Sequence, residues 1–196
     1  HNDLWRYAPL SNTWTQKAAF GGMALNSNAV AFSIGGKGYV GTAMGANDNE
    51  FWEYDTTANT WTQKADFGGA GRWSAVGFSI GNKGYIGTGY QNFNGHYKDF
   101  WEYDPTANSW IKKTDFGGTG RWESVGFSIG NKGYSGTGDE GGLFRSDFWE
   151  YDPISNSWTQ KADFGGGIAK SLAVGFSIGN KGYIGTGNSG TVAYLY

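Results

Sequence analysis

A block of about 48 residues recurs four times along this chain, and nothing constrains its fold more. The third copy reads Asp99-Phe-Trp-Glu-Tyr-Asp-Pro-Thr-Ala-Asn-Ser-Trp110, then Asp115-Phe-Gly-Gly, then Gly126-Phe-Ser-Ile-Gly-Asn-Lys-Gly-Tyr134. The second Trp of each copy falls at Trp14, Trp61, Trp110 and Trp158, so the period is 47 to 49 residues. Such periods belong to propeller blades or to solenoids of paired helices. Gly makes up 35 of the 196 residues, and the segments between glycines are short, aromatic and β-branched. No segment sustains a helical apolar period, so the repeating unit is built of strands and turns. The expected class is all-β. The chain reads as one repeat body over 1–196, with repeats at approximately 3–48, 49–96, 97–145 and 146–196.

Turn signals divide each repeat into four short strands. In the second and third copies these are an inner strand, Ser74–Ile80, a second strand, Gly84–Gly89, a third strand, Asp99–Tyr103, and an outer strand, Ser109–Lys113. The Gly81-Asn-Lys-Gly84 and Asp104-Pro-Thr-Ala-Asn108 connections offer Gly and Asn for positive φ and Pro at a turn position. Each inner strand carries a small residue at its centre, Ala31, Gly77, Gly126 or Gly175. Glycine there points either to close backbone approach around a common axis or to a bulge. Val76, Phe78, Ile80, Tyr85, Trp101, Trp110 and their equivalents are the expected core. Ten Trp, twelve Tyr and thirteen Phe supply ample apolar area for it.

The chain is similar to the kelch-repeat β-propellers. The resemblance rests on Gly-Tyr-Ile-Gly-Thr-Gly in the second strand, on Phe-Trp-Glu-Tyr-Asp-Pro in the third, and on a Trp six residues after that Asp. It runs over essentially the whole sequence and implies four-stranded blades. Fold does not fix function, because such propellers serve as enzymes, scaffolds and adhesive proteins. Kelch rings usually have six or seven blades, whereas four repeats are present here. The strand order opens with a third and an outer strand and closes with an inner and a second strand, Ala173–Gly187. These would combine into a fourth blade, as propellers commonly do to remove free edges. The tail Ala193–Tyr196, however, aligns with Leu4–Tyr7 and offers the same strand again. The piece then belongs to a larger ring, carries a displaced copy, or pairs its ends with neighbouring molecules.

Net charge is −2, and there is no basic tract, which argues against nucleic acid and anionic membrane as partners. No apolar run is long enough to span a bilayer. Cys is absent and His occurs twice, so thiolate chemistry and a multi-His or Cys metal site have no ligands, and no cofactor is expected. The copper oxidases of kelch fold use a Cys–Tyr cross-link, which this chain cannot form. The composition, poor in Lys and Arg and rich in Asn, Thr, Gly and aromatics, suggests an extracellular or cell-surface protein.

Strand alternation sorts the loops onto two faces, and nearly all variation between copies falls on one of them. That face holds the candidate binding residues: Arg72 and Trp73, Arg121 and Trp122, Tyr90, Phe93, His96 and Tyr97, and the acidic pair Asp139 and Glu140. Arg beside Trp suits a carboxylate, a stacked sugar ring or a partner surface. The favoured alternative for the arginines is a scaffold role, in which Arg packs on a neighbouring Trp or bonds loop carbonyls. The acidic groups Asn47-Asp48-Asn-Glu50 and Asp139-Glu140 lack the spacing of a calcium loop. The expected function is non-catalytic: protein or glycan binding, or self-assembly, including association with further blades of a longer chain. The alternative is a carbohydrate-active enzyme with paired carboxylates on the loop face over the propeller axis.

Overall fold

The computed structural model describes residues 2–22, 27–45, 49–92 and 95–189. Phe93, the Asn26 and Asn47-Asp48 loop positions and the tail Thr191–Tyr196 lie outside the described residues.

The chain is all-β, with eighteen strands among the described residues and a single three-residue 3-10 turn, Phe164–Gly166. Strands β1 (Leu4–Ala8) and β2 (Thr13–Lys17) form an antiparallel pair. Three four-stranded antiparallel sheets follow. The first contains β3 (Val30–Ile34), β4 (Lys37–Gly41), β5 (Phe51–Asp55) and β6 (Thr60–Gln63). The second contains β7 (Val76–Ile80), β8 (Lys83–Gly87), β11 (Phe100–Asp104) and β12 (Ser109–Lys113). A two-residue hairpin, β9 (Tyr90–Gln91) with β10 (Gly95–His96), interrupts it. The third contains β13 (Val125–Ile129), β14 (Lys132–Gly136), β15 (Phe148–Asp152) and β16 (Ser157–Lys161). The pair β17 (Val174–Ile178) and β18 (Lys181–Gly185) ends the described chain.

The turn chemistry is that of the sequence. Gly81, Gly130 and Gly179 take positive φ in the inner turns, and Asn12, Asn59, Asn108 and Asn156 take it before each outer strand. The Asp104 carboxylate accepts the amides of Thr106 and Ala107 and pairs with Lys83, closing the same end of the sheet. Register is fixed by cross-strand aromatics, with Tyr85 stacked between Phe78 and Phe100 and its hydroxyl donating to Glu102 at 2.6 Å. Burial first, then the Glu102 carboxylate, holds that phenol far above its ordinary range; the same causes push Tyr134, bonded to Glu150, up to about 12.

The core lies between successive sheets. One cluster joins Val30, Tyr39 and Phe51 of the first sheet to Ile86 and Tyr103 of the second; another joins Phe78 and Phe100 of the second to Tyr151 of the third. Burying each such side chain contributes on the order of 2–3 kcal/mol. The strand glycines exist for this packing. A methyl group built on Gly133 would lie 2.5 Å from Phe78 Cε2, and one on Gly182 would lie 2.5 Å from Phe127 Cε2. Gly77, Gly126 and Gly175 likewise receive Val30, Val76 and Val125. The glycines therefore admit side chains of the preceding inner strand rather than another backbone. Gly133→Val should lower stability by about 1–3 kcal/mol through overpacking, read from urea unfolding.

Each sheet-to-sheet junction repeats two further links. The Ala18, Ala65 and Thr114 amides donate to Asn59, Asn108 and Asn156, and their carbonyls accept from the indoles of Trp61, Trp110 and Trp158. A backbone chain also crosses the junctions: Ser74 N donates to Asn28 O, Glu123 N to Ser74 O, and Leu172 N to Glu123 O, at 3.1 to 3.2 Å.

Two expectations need correction. The last inner pair does not complete a sheet with the first outer pair: β17–β18 and β1–β2 stand as separate two-stranded sheets. The expected core residues are also not buried in every copy. Val174, Phe176 and Ile178 are 58%, 49% and 63% exposed, and Trp14 is 65% exposed. Among the described residues no following or preceding sheet lies against these side chains, and it is the neighbouring sheet that buries their equivalents.

Candidate functional site

The variable loops meet along one edge of the sheets through short bridges. Trp73 and Tyr90 exchange two backbone hydrogen bonds at 3.0 Å, Trp122 and Asp139 do so at 3.0 and 2.9 Å, and Ser171 and Asn188 at 3.0 and 2.8 Å. The next residue, Ser74, Glu123 or Leu172, has φ between 51° and 56°. This left-handed step turns the chain into the inner strand. Asn28 makes the same step at 58° after Ser27.

That geometry gathers four of the candidate residues. The Trp73 and Trp122 rings meet edge to face at 4.8 Å, and Tyr90 lies 5.1 Å from Trp73 and 5.2 Å from Trp122. His96, on the β9–β10 hairpin, lies 5.1 Å from Tyr90 and 6.4 Å from Trp122. All four rings are partly exposed. Trp122 Nε1 is buried beside them with no hydrogen-bond partner.

The two arginines take a different place. Arg72 and Arg121 are 0% and 1% exposed. Arg72 Nη1 and Nη2 donate to the two oxygens of Asp99 at 2.5 and 2.8 Å, and Nη1 also donates to Thr88 O. Arg121 makes the same fork to Asp147 and to Thr137 O. Phe67 and Tyr97 cover the Arg72 guanidinium at 4.8 and 4.2 Å, and Phe116 covers Arg121. Arg72, Arg121 and Tyr97 are thus part of the scaffold, and their expected exposure to a ligand is corrected: the guanidinium's donors are spent on the sheet. Burial opposes ionisation of Asp99 and Asp147, and the arginine outweighs it, holding both carboxyls below the usual carboxylate range. The arginine also binds a residue that is otherwise hard to place. Thr88 and Thr137 are β-branched yet have φ of 58° and 56°, an unfavourable conformation that turns their carbonyls toward the guanidinium.

The acidic pair separates. Asp139 is buried and accepts from Gly142 N at 2.5 Å, capping its loop. Glu140 pairs with Arg145 and accepts from Thr119 at 2.9 Å. Glu123 was not among the expected site residues; burial, then the Asp139 charge, raises its carboxyl above the ordinary value. Its one available signal was its place directly after Arg121-Trp122. Among the described residues no group of three His, Asp or Glu side chains could hold a metal ion. No described helix is long and apolar enough to cross a membrane.

Comparison with known proteins gives the fold and little else. No family model matches the chain, and no curated protein matches it. Solved structures do: 176 chains match. Among them is the structure of a protein named YjhT, with a TM-score of 0.70 and 19% identity, over 80% of this chain and 57% of that one. This chain therefore spans little more than half the length of that neighbour, and the likeness is one of fold.

Proposed function

We propose that the chain is a non-catalytic, kelch-type β-propeller module that works outside the cell or at its surface and binds a glycan on its variable loop face. The four-stranded sheets are its blades, arranged as an arc. The reading rests on one observation, the partly exposed cluster of Trp73, Tyr90, Trp122 and His96. Aromatic rings at right angles give a sugar an apolar face to lie on. Trp122→Ala should abolish retention on a glycan array, with the melting temperature lowered by only a few degrees. Unchanged glycan binding with a large loss of stability would return the ring to the scaffold, and capture of a protein alone would replace the glycan.

A second reading, a carbohydrate-active enzyme, is favoured by the bridge of Trp122 to Asp139, which brings the neighbouring Glu123 to the same loop edge. Glycoside hydrolysis uses paired carboxylates. Release of reducing sugar that vanishes in Glu123→Gln would select it.

A further inference from the structure

The three internal junctions each join a giving half to a receiving half, and among the described residues one half of each kind remains unused at opposite ends. The giving half left over is on β17 and the segment before it. Val174 and Phe176 hold the places of the Val125 and Phe127 knobs but are 58% and 49% exposed. Leu172 O holds the place of Glu123 O, which accepts from the next unit. Ala162 and Phe164 hold the places of Thr114 and of Phe116, whose ring packs against Trp149 and Trp158 at 6.1 and 5.1 Å.

The receiving half left over is on β1 to β4. A methyl group on Gly38 would meet only Tyr54 Cβ, at 3.8 Å, whereas its equivalents Gly84, Gly133 and Gly182 are each filled by a Phe ring. Ala31, beside it, is exposed. Trp5 and Trp14 are 47% and 65% exposed where the later tryptophans are covered by Phe20, Phe67 or Phe116.

We propose that the β17–β18 end of one copy docks head to tail on the β1–β4 end of a second copy, repeating the internal junction. Phe176 then enters the recess at Gly38, and Val174 lies on Ala31. Asn28 N donates to Leu172 O, and Phe164 covers Trp5 and Trp14. The β18 edge pairs with β1 in the register that joins β8 to β11, where Phe100 faces Gly87 and Tyr103 faces Gly84. Leu4 thus faces Gly185, and Tyr7 faces Gly182. The product is a complete four-stranded blade shared by two molecules, and both exposed edges disappear. Charge agrees with this arrangement. Lys170 occupies the position of Arg72 and Arg121, and Asp3, which accepts from the Trp5 indole, occupies that of Asp99 and Asp147. Two places depart from the internal pattern. Ala31 carries a methyl group where the other units have Gly, so Val174 sits a few tenths of an ångström farther out. Arg6 replaces the Glu that binds each second-strand Tyr. The contact is heterologous, so giving and receiving surfaces differ. It uses the sheet edges and stands apart from the glycan reading of the loop face.

Sedimentation of the full chain tests the proposal. The wild type should show a mass above 21.2 kDa that rises with concentration. Phe176→Asp removes the giving half, and Gly38→Leu fills the receiving recess. Each should weaken self-association by roughly thirtyfold or more, while keeping the β circular dichroism spectrum, because both positions are open in the single chain. Mixed together they should form a one-to-one heterodimer, since each retains the half that the other lost. A wild type monomeric at all concentrations, whether because another segment of chain covers the β17 face or because nothing does, would overturn the proposal. So would assembly that survives either substitution, or a mixture that stays monomeric.

Discussion

Phe78→Ala should cost the chain about 3–5 kcal/mol, and Phe176→Ala less than about 1 kcal/mol at concentrations where the chain is single. The two residues occupy the same place in Gly-Phe-Ser-Ile. Phe78 is 4% exposed, stacks on Tyr85 and fills the space above Gly126 and Gly133. Its removal leaves a cavity bounded by two sheets that cannot both close on it. Phe176 is 49% exposed and, among the described residues, stacks on Tyr183 alone. Urea unfolding of both variants, compared at equal slope, measures the contrast. Equal losses at the two sites would mean that a repeat carries its own core and that packing between sheets is secondary.

Arg121→Ala should cost about 3–5 kcal/mol near neutral pH, because it strands the Asp147 carboxylate in a site only 20% exposed. It also releases the Thr137 carbonyl and uncovers Phe116. The pair Arg121→Met with Asp147→Leu should recover much of that loss, since it leaves no buried charge. The effect has a definite pH signature. The folded-state carboxyl of Asp147 is depressed, so its contribution is complete above the unfolded value of about 3.9 and is lost as pH falls through the lower folded value. The stability gap between wild type and Arg121→Ala should therefore narrow as pH drops below about 4. A gap that stays constant down to pH 2 would show that packing of the arginine stem, not the ion pair, carries the effect.

Much of the fold was legible because it is written at short range. The alternation in Phe100–Asp104 sets two faces, Asn108 and Gly81 set the turns, and the 48-residue period announces sheets that pack on copies of themselves. The loop face was legible as well, since Trp73, Trp122, Tyr90 and His96 do converge. The scaffold role of the arginines was legible, but their acidic partners were not named, for want of one comparison among the repeats. Arg72 and Arg121 occur where Asp99 and Asp147 stand before Phe-Trp, and the first copy has Asn26 with Glu50 instead. That coupled change is the trace of the buried ion pair. The junction links of Trp61, Trp110 and Trp158 to backbone more than forty residues earlier left no trace of that kind.

The sequence by itself determined strands, turns, register and the identity of the knobs and recesses, because each depends on residues that are neighbours in the chain or in one hairpin. Whether a given knob is core or surface was decided only by tertiary structure. Val76 and Val174 have the same local sequence, Val-Gly-Phe-Ser-Ile, yet are 3% and 58% exposed. The hydrophobic effect acts on area removed from water, and for these strands the covering area comes from the neighbouring sheet. An identical segment is therefore interior where a described neighbouring sheet covers it and exposed where none does.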